Sequence, residues 1–314
     1  MKKIVGYLKD YLREHFHWGL YLYTAIFLGM AIYLNYAFKF EKTYVNMIQQ
    51  SHSRRLIAYG LFYSFAYFAI AIPQAYFTKS DYLSKRAFWV RSIVFLLAIC
   101  LFRGFWQYRD WISTLNTNPF EQIFLFKVIG RAKSLLTTLI VLFIFWWWVD
   151  RSQMKHFYGL TTRGFSPNPY LLMLLIMLPF LIWASFQPAF LKMYPQFKPW
   201  VMKPVFGLTI WQMFGIYEVV YSADFVMVEL FFRGALVIGL ASVMKNHSIV
   251  PMIVLYCFLH FEKPMAEAIG SAFGGYILGV IALRTRSIFG GVCIHLGVAL
   301  LMDALAIVQY LNNQ

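Results

Sequence analysis

Apolar runs close to twenty residues long, separated by short polar stretches, recur through most of this sequence. A helix that crosses a bilayer needs roughly 20 such residues. The pattern predicts one over 18–38, a second over about 56–77, a third over about 88–106 and a fourth over about 134–148. A fifth opens at Pro169 or Tyr170 and reaches about residue 186. Pro73 removes a helical hydrogen bond near the end of the second and is expected to kink it. Arg91 and Arg103 lie near the two ends of the third, where long side chains can reach head groups. Trp146-Trp147-Trp148 closes the fourth as an aromatic belt. Residues 107–132 mix aromatic and polar positions and read as an interfacial or re-entrant stretch. At the start, Ile4, Tyr7, Leu8, Tyr11 and Leu12 repeat at helical spacing opposite Lys2, Lys3, Lys9 and Arg13. That is the pattern of a helix lying in the membrane interface.

From about residue 205 the apolar runs shorten, gain glycine and acquire polar residues. Gly270-x-x-x-Gly274 and Gly275-x-x-x-Gly279 fall on one predicted helix and permit close approach of a neighbour. The expected fold is all-α: a polytopic transmembrane bundle of about eight to nine membrane helices with an N-terminal interfacial amphipathic helix. Two functional layers are expected, 1–165 as an accessory bundle and 166–314 as the site-bearing bundle.

Composition supports the membrane reading. Of 314 residues, 61% are hydrophobic and only 13% charged, about half the charge of an ordinary soluble protein. The net charge of +15 comes from Lys and Arg scattered between apolar runs. Basic residues in that arrangement meet anionic lipid head groups, so membrane lipids are an expected partner and nucleic acid is not. The basic residues flanking the first spans balance between the two sides and leave orientation open. Cys100, Cys257 and Cys293 all sit inside apolar runs and imply no disulfide framework. Residues 1–17 show no short apolar core with a small-residue exit, so no cleavable signal peptide is expected.

The chemistry concentrates in the second half. Glu218, Asp224, Glu229 and Arg233 stand in a run otherwise fit for hydrocarbon, where each charge costs at least ~2.5–3.5 kcal/mol. Such groups persist when paired or turned to a polar cavity. Glu229 and Arg233 lie four residues apart, on one helix face and within ion-pair reach. A structural pair would explain them alone. His260 and His295, on two later apolar runs, add imidazoles that together with a carboxylate can activate water and protonate a leaving amine.

VELFFRG (228–234), YCFLHF (256–261) and IHLGVALLMD (294–303), in this order, resemble the three motifs of the CPBP family. That family comprises CAAX prenyl endopeptidases and the Abi-type membrane proteases, and its motifs read E-E-x-x-x-R, F-x-x-x-H and H-x-x-x-N or H-x-x-x-small. The resemblance spans about residues 170–306. It implies a peptidase acting on a membrane-associated peptide or protein, in a multi-pass protein of the bacterial plasma membrane. It assigns Glu229 to the second glutamate, Arg233 to the arginine, and His260 and His295 to the two histidines. A divalent metal such as zinc stays open, with His260, His295 and Glu229 as candidate ligands. Departures from the pattern are Val228 in place of the first glutamate and Tyr256 in place of phenylalanine as the second motif's aromatic, and with Ala299 at the fourth position after His295 no amide donor stands there.

A valine cannot take a proton from water. Glu229 could turn into the cavity, although one residue rotates a side chain by ~100°. Asp224, one turn before Val228, could place a carboxylate in nearly the same space. Glu218 could join such a cluster, Asp303 could partner His295, and Glu262 and Glu267 lie near His260. A non-catalytic relative acting as a binding or scaffolding protein is the alternative. A small transporter is a third reading, ranked last because no inverted repeat is visible.

Overall fold

Water is absent from hydrocarbon, so an apolar run satisfies its backbone by becoming a helix. The computed structural model, which describes residues 2–46, 51–163 and 165–312, contains eight helical units long and apolar enough to cross a membrane. Its α-helices are α1 (Lys2–His15), α2 (Trp18–Phe38), α3 (His52–Phe77), α4 (Arg86–Gly104), α5 (Gln107–Ser113) and α6 (Pro119–Phe145). There follow α7 (Asn168–Ser185), α8 (Pro188–Met193), α9 (Ile210–Glu229), α10 (Ala241–Met244), α11 (Ile249–Leu259), α12 (Met265–Thr285) and α13 (Phe289–Asn312). No β-strand element occurs among the described residues. The chain is an all-α polytopic bundle.

The amphipathic start forms α1 as expected. Ile4 and Tyr11 are its buried side, and Tyr11 donates to the Asn246 carbonyl at 2.8 Å. Lys2, Lys3, Lys9 and Arg13 stay exposed. Pro73 lies inside α3, which continues past it to Phe77.

The fourth span differs most from the expectation. It begins at Pro119, about fifteen residues before residue 134, and absorbs most of the stretch expected to be interfacial or re-entrant. Asn118 and Glu121 form a capping box, with Pro119 in the first turn, which fixes that start. Lys127, Arg131 and Lys133 disguised the span because they interrupt its apolar run. Lys127 donates to the Gln196 carbonyl at 2.7 Å, Lys133 to the Phe102 carbonyl at 2.7 Å, and Arg131 meets Asp224.

The two arginines of the third span do not snorkel. Arg91 is 4% exposed and meets Asp150 at 2.6 Å. Asp150 also accepts from the Tyr158 hydroxyl at 2.8 Å. Arg103 contacts Glu41 at 3.4 Å and pairs with Glu262. Protein carboxylates reach both guanidinium groups, so neither needs the head groups.

The helical unit Ile210–Leu259 spans 50 residues, about 75 Å if it were straight, more than twice a hydrocarbon core. It is not straight. A ten-residue π-helical stretch, Leu230–Gly239, follows α9, and Lys245 at φ +55° breaks the helix before α11. Every residue of that stretch is buried. A Cβ at Gly234 would stand 2.6 Å from the Tyr158 carbonyl oxygen, and one at Gly239 2.9 Å from the Tyr158 ring. The turn pinned by Asp150 therefore packs directly on the segment carrying Arg233. Helix α11, about 16 Å long, is enclosed by neighbours and supplies Met252, Leu255 and Phe258 to the main core. That core also takes Tyr59, Phe62, Tyr63 and Phe95 from the first half of the chain.

Candidate active site

Glu229 ends α9, and Arg233 stands one turn on, in the π-helical stretch. Both side chains are essentially unexposed, with Arg233 Nη1 2.9 Å from Glu229 Oε1. The Arg233 guanidinium carbon lies 4.3 Å from the centre of the Tyr256 ring. Its charge is thus divided between a carboxylate and an aromatic face. It makes a charge contact with Glu229 rather than an aligned hydrogen bond, since none of its nitrogens has a bonded partner among the described residues.

The same Oε1 lies 3.1 Å from His295 Nδ1 on α13. Oε2 has no hydrogen-bond partner and packs on Gly291, where an added Cβ would come within 1.9 Å. Only glycine at 291 lets the carboxylate lie against α13. The other His295 nitrogen, Nε2, is 3.4 Å from the Tyr256 hydroxyl.

His260 ends α11. Its Nδ1 is 2.8 Å from the Tyr256 carbonyl, and a carbonyl only accepts, so Nδ1 carries the hydrogen. Nε2 is left as an acceptor without a partner among the described residues. The Tyr256 and His260 rings sit edge to face at 4.5 Å. Both imidazoles are half-buried. Glu229, Arg233, His295 and His260 therefore all touch Tyr256 or a group bonded to it.

Asp224 lies elsewhere. Its partner is Arg131 on α6, at 2.9 Å, and its other oxygen is buried without a partner. It bonds neither imidazole. Asp303 accepts from the Gln196 backbone at 3.2 Å rather than from His295. Glu218 is half-buried with one oxygen unpartnered. Glu262 is taken by Arg103 and by Asn46. Glu267 accepts from the Tyr194 hydroxyl at 2.8 Å, and Lys263 donates to that hydroxyl at 3.1 Å. In the loop after α11, burial draws the Lys263 ammonium down to about 8, against the opposing pull of Glu267.

The residues present do not fit zinc. Among the described residues, no three His, Cys, Asp or Glu side chains are grouped to hold a metal ion. The bonded oxygen of Glu229 faces a guanidinium, which repels a second cation. The wall at residue 228 is apolar as well. Val228 borders a small cavity lined by Ile99, Phe102, Thr138, Phe231, Phe232 and Leu259. Ala299 belongs to a buried cluster with Phe124, Phe197 and Tyr217.

Two features escaped the sequence reading, Gly291 and the Tyr256 hydroxyl. The only signal for the first was a glycine pair, Gly290-Gly291, four residues before a motif histidine. For the second it was tyrosine in a phenylalanine position.

Fold and site together define a multi-pass α-helical membrane protein that encloses an ionisable cluster among its apolar helices. Residues 210–301 match the family model Rce1-like, described as Type II CAAX prenyl endopeptidase Rce1-like. The match includes all four motif residues and supports the CPBP (CAAX protease) family. No curated protein and no solved structure matches the chain.

Proposed function

We propose that this protein is an intramembrane peptidase that hydrolyses a peptide bond of a membrane-associated substrate. The observation that carries the proposal is the gathering of Glu229, His295 and His260 about Tyr256 inside the matched segment. In this reading His260 Nε2 takes a proton from the attacking water and returns it to the leaving amine. Glu229 is too enclosed to meet water itself. It orients His295, which faces the developing oxyanion. Arg233 holds Glu229. Asp224, bound to Arg131, is excluded from the proton transfer. The bacterial plasma membrane is the proposed location.

The test is cleavage of a membrane-tethered peptide library by protein reconstituted in vesicles. His260→Ala is expected to cut turnover by roughly 10²–10⁴-fold, while Asp224→Asn stays within a few-fold of the natural chain. Product formation that survives His260→Ala would remove the proposed base.

One observation favours a second reading, a non-catalytic binding or scaffolding protein. Val228 completes an apolar wall where the family carries its first glutamate. If the natural chain yields no product and Val228→Glu does, the second reading holds.

A further inference from the structure

Tyr256 stands where the family motif has phenylalanine, so its hydroxyl has no counterpart in that motif. The ring is held on several sides. Phe232 meets it edge-on at 4.8 Å, Arg233 covers one face, and an added Cβ at Gly275 would come within 3.1 Å of it. A ring so confined fixes where its hydroxyl points.

We propose that Tyr256 is a positioning residue that sets the hydrogen on both imidazoles of the site. For His260 the setting comes from the backbone, since the Tyr256 carbonyl claims Nδ1–H and leaves Nε2 to accept. For His295 it comes from the side chain. The Glu229 carboxylate, facing Arg233, accepts from Nδ1–H, which makes Nε2 of a neutral ring an acceptor. Among the described residues, the group placed to donate to it is the Tyr256 hydroxyl, at 3.4 Å. The result is a chain from Glu229 through His295 to Tyr256 in which each hydrogen has one place, and whose last member also orients the proposed base. Ala299 is the small form of the third motif's last position, so no amide stands there. The phenol supplies a hydrogen-bonding group from a different helix.

The role in turnover rests on the peptidase reading; the hydrogen placement does not. Two measurements on Tyr256→Phe separate them. Nitrogen-15 NMR of histidine-labelled protein in bilayers, assigned with His260→Gln and His295→Gln, reads the ring nitrogens directly. The natural chain is expected to show both rings with hydrogen on Nδ1. In Tyr256→Phe the His295 Nε2 resonance should move while the His260 pair stays, because the carbonyl survives. An unchanged unfolding midpoint excludes a general loosening. In the cleavage assay the same variant should lower kcat roughly 10–100-fold, the scale for an outer partner of a functional histidine, at unchanged KM. A His295 Nε2 resonance that does not move overturns the inference whatever the activity. A moved resonance with unchanged kcat overturns the role in turnover. Absence of product from the natural chain overturns the peptidase reading, and the resonances still decide the pairing.

Discussion

Glu229 shows how a single side chain can be over-determined. One oxygen faces Arg233 and His295, and the other lies on Gly291. Gly291→Ala would place a methyl group inside the carboxylate, so the side chain must leave and the His295 bond with it. We expect that variant to lose activity as His295→Ala does, with a lowered unfolding midpoint. A midpoint equal to that of the natural chain would mean that α13 gives way instead. Arg233→Leu strands a buried carboxylate, at a cost of about 3–5 kcal/mol, and Arg233→Leu with Glu229→Leu should recover much of it. Chemical unfolding of the two variants checks this, and a double variant no more stable than the single one would show that they are not partners. Lys263 gives a pH test. Its ammonium falls from the usual 10.5 to about 8, so between those values the folded chain holds fewer protons there than the unfolded chain. Stability from this group therefore rises with pH across that window. The stability of the natural chain relative to Lys263→Met should increase from pH 8 to pH 10. At this scale the Glu229–Arg233 pair was legible because four residues on a helix face are neighbours. The His295 contact was not, since it joins residues 66 apart in sequence through tertiary packing.

Helix α12 separates small-residue motifs that pack from those that do not. A Cβ at Gly279 would meet Met252 of α11 at 2.8 Å, and one at Gly275 would meet Tyr256, whereas Gly270 and Gly274 have nothing within 4 Å. The sequence pattern is the same in both repeats, and only the neighbour differs. Gly279→Val is expected to destabilise by about 1–3 kcal/mol through overpacking, and Gly270→Val to stay within about 0.5 kcal/mol. Thermal unfolding in detergent distinguishes them, and equal losses would show that α11 and α12 do not meet as described. Helix α6 teaches a related lesson. Hydropathy located its second half, because apolar residues there face lipid: Ile140, Phe143 and Ile144 are exposed. Its first half was hidden by lysine and arginine whose partners lie on α4, on α9 and in the segment after α8. Hydropathy averages over a helix, while the cost of a charge depends on what it touches.

The halves read from the sequence as accessory and site-bearing are joined through the bundle by specific bonds. Asn35 donates to the Phe261 carbonyl at 3.0 Å, Tyr36 to that of Lys263 at 2.7 Å and Gln74 to that of His247 at 2.8 Å. Charged contacts cross as well, Arg103 with Glu262, Arg131 with Asp224 and Arg284 with Glu14. Counting membrane helices was straightforward from the sequence, since the bilayer imposes length and polarity on each one. Which helix meets which was not, because the same apolar face can pack on lipid or on protein. The consequence is that the segment 166–314 should not form the site alone. Without the first half, Asp224 and Glu262 lose their cations, Phe258 and Phe261 lose Phe62, and three carbonyls around His260 and His247 lose their donors. Expressed by itself in membranes, 166–314 is expected to be degraded or to run as an aggregate on size exclusion in detergent. Co-expression with 1–165 should restore a monodisperse species of the full-length mass. In that reassembled pair, Arg131→Leu on the first fragment should weaken the association, since it leaves Asp224 buried without its partner. A monodisperse 166–314 fragment that cleaves peptide unaided would show instead that the first half only accompanies the site.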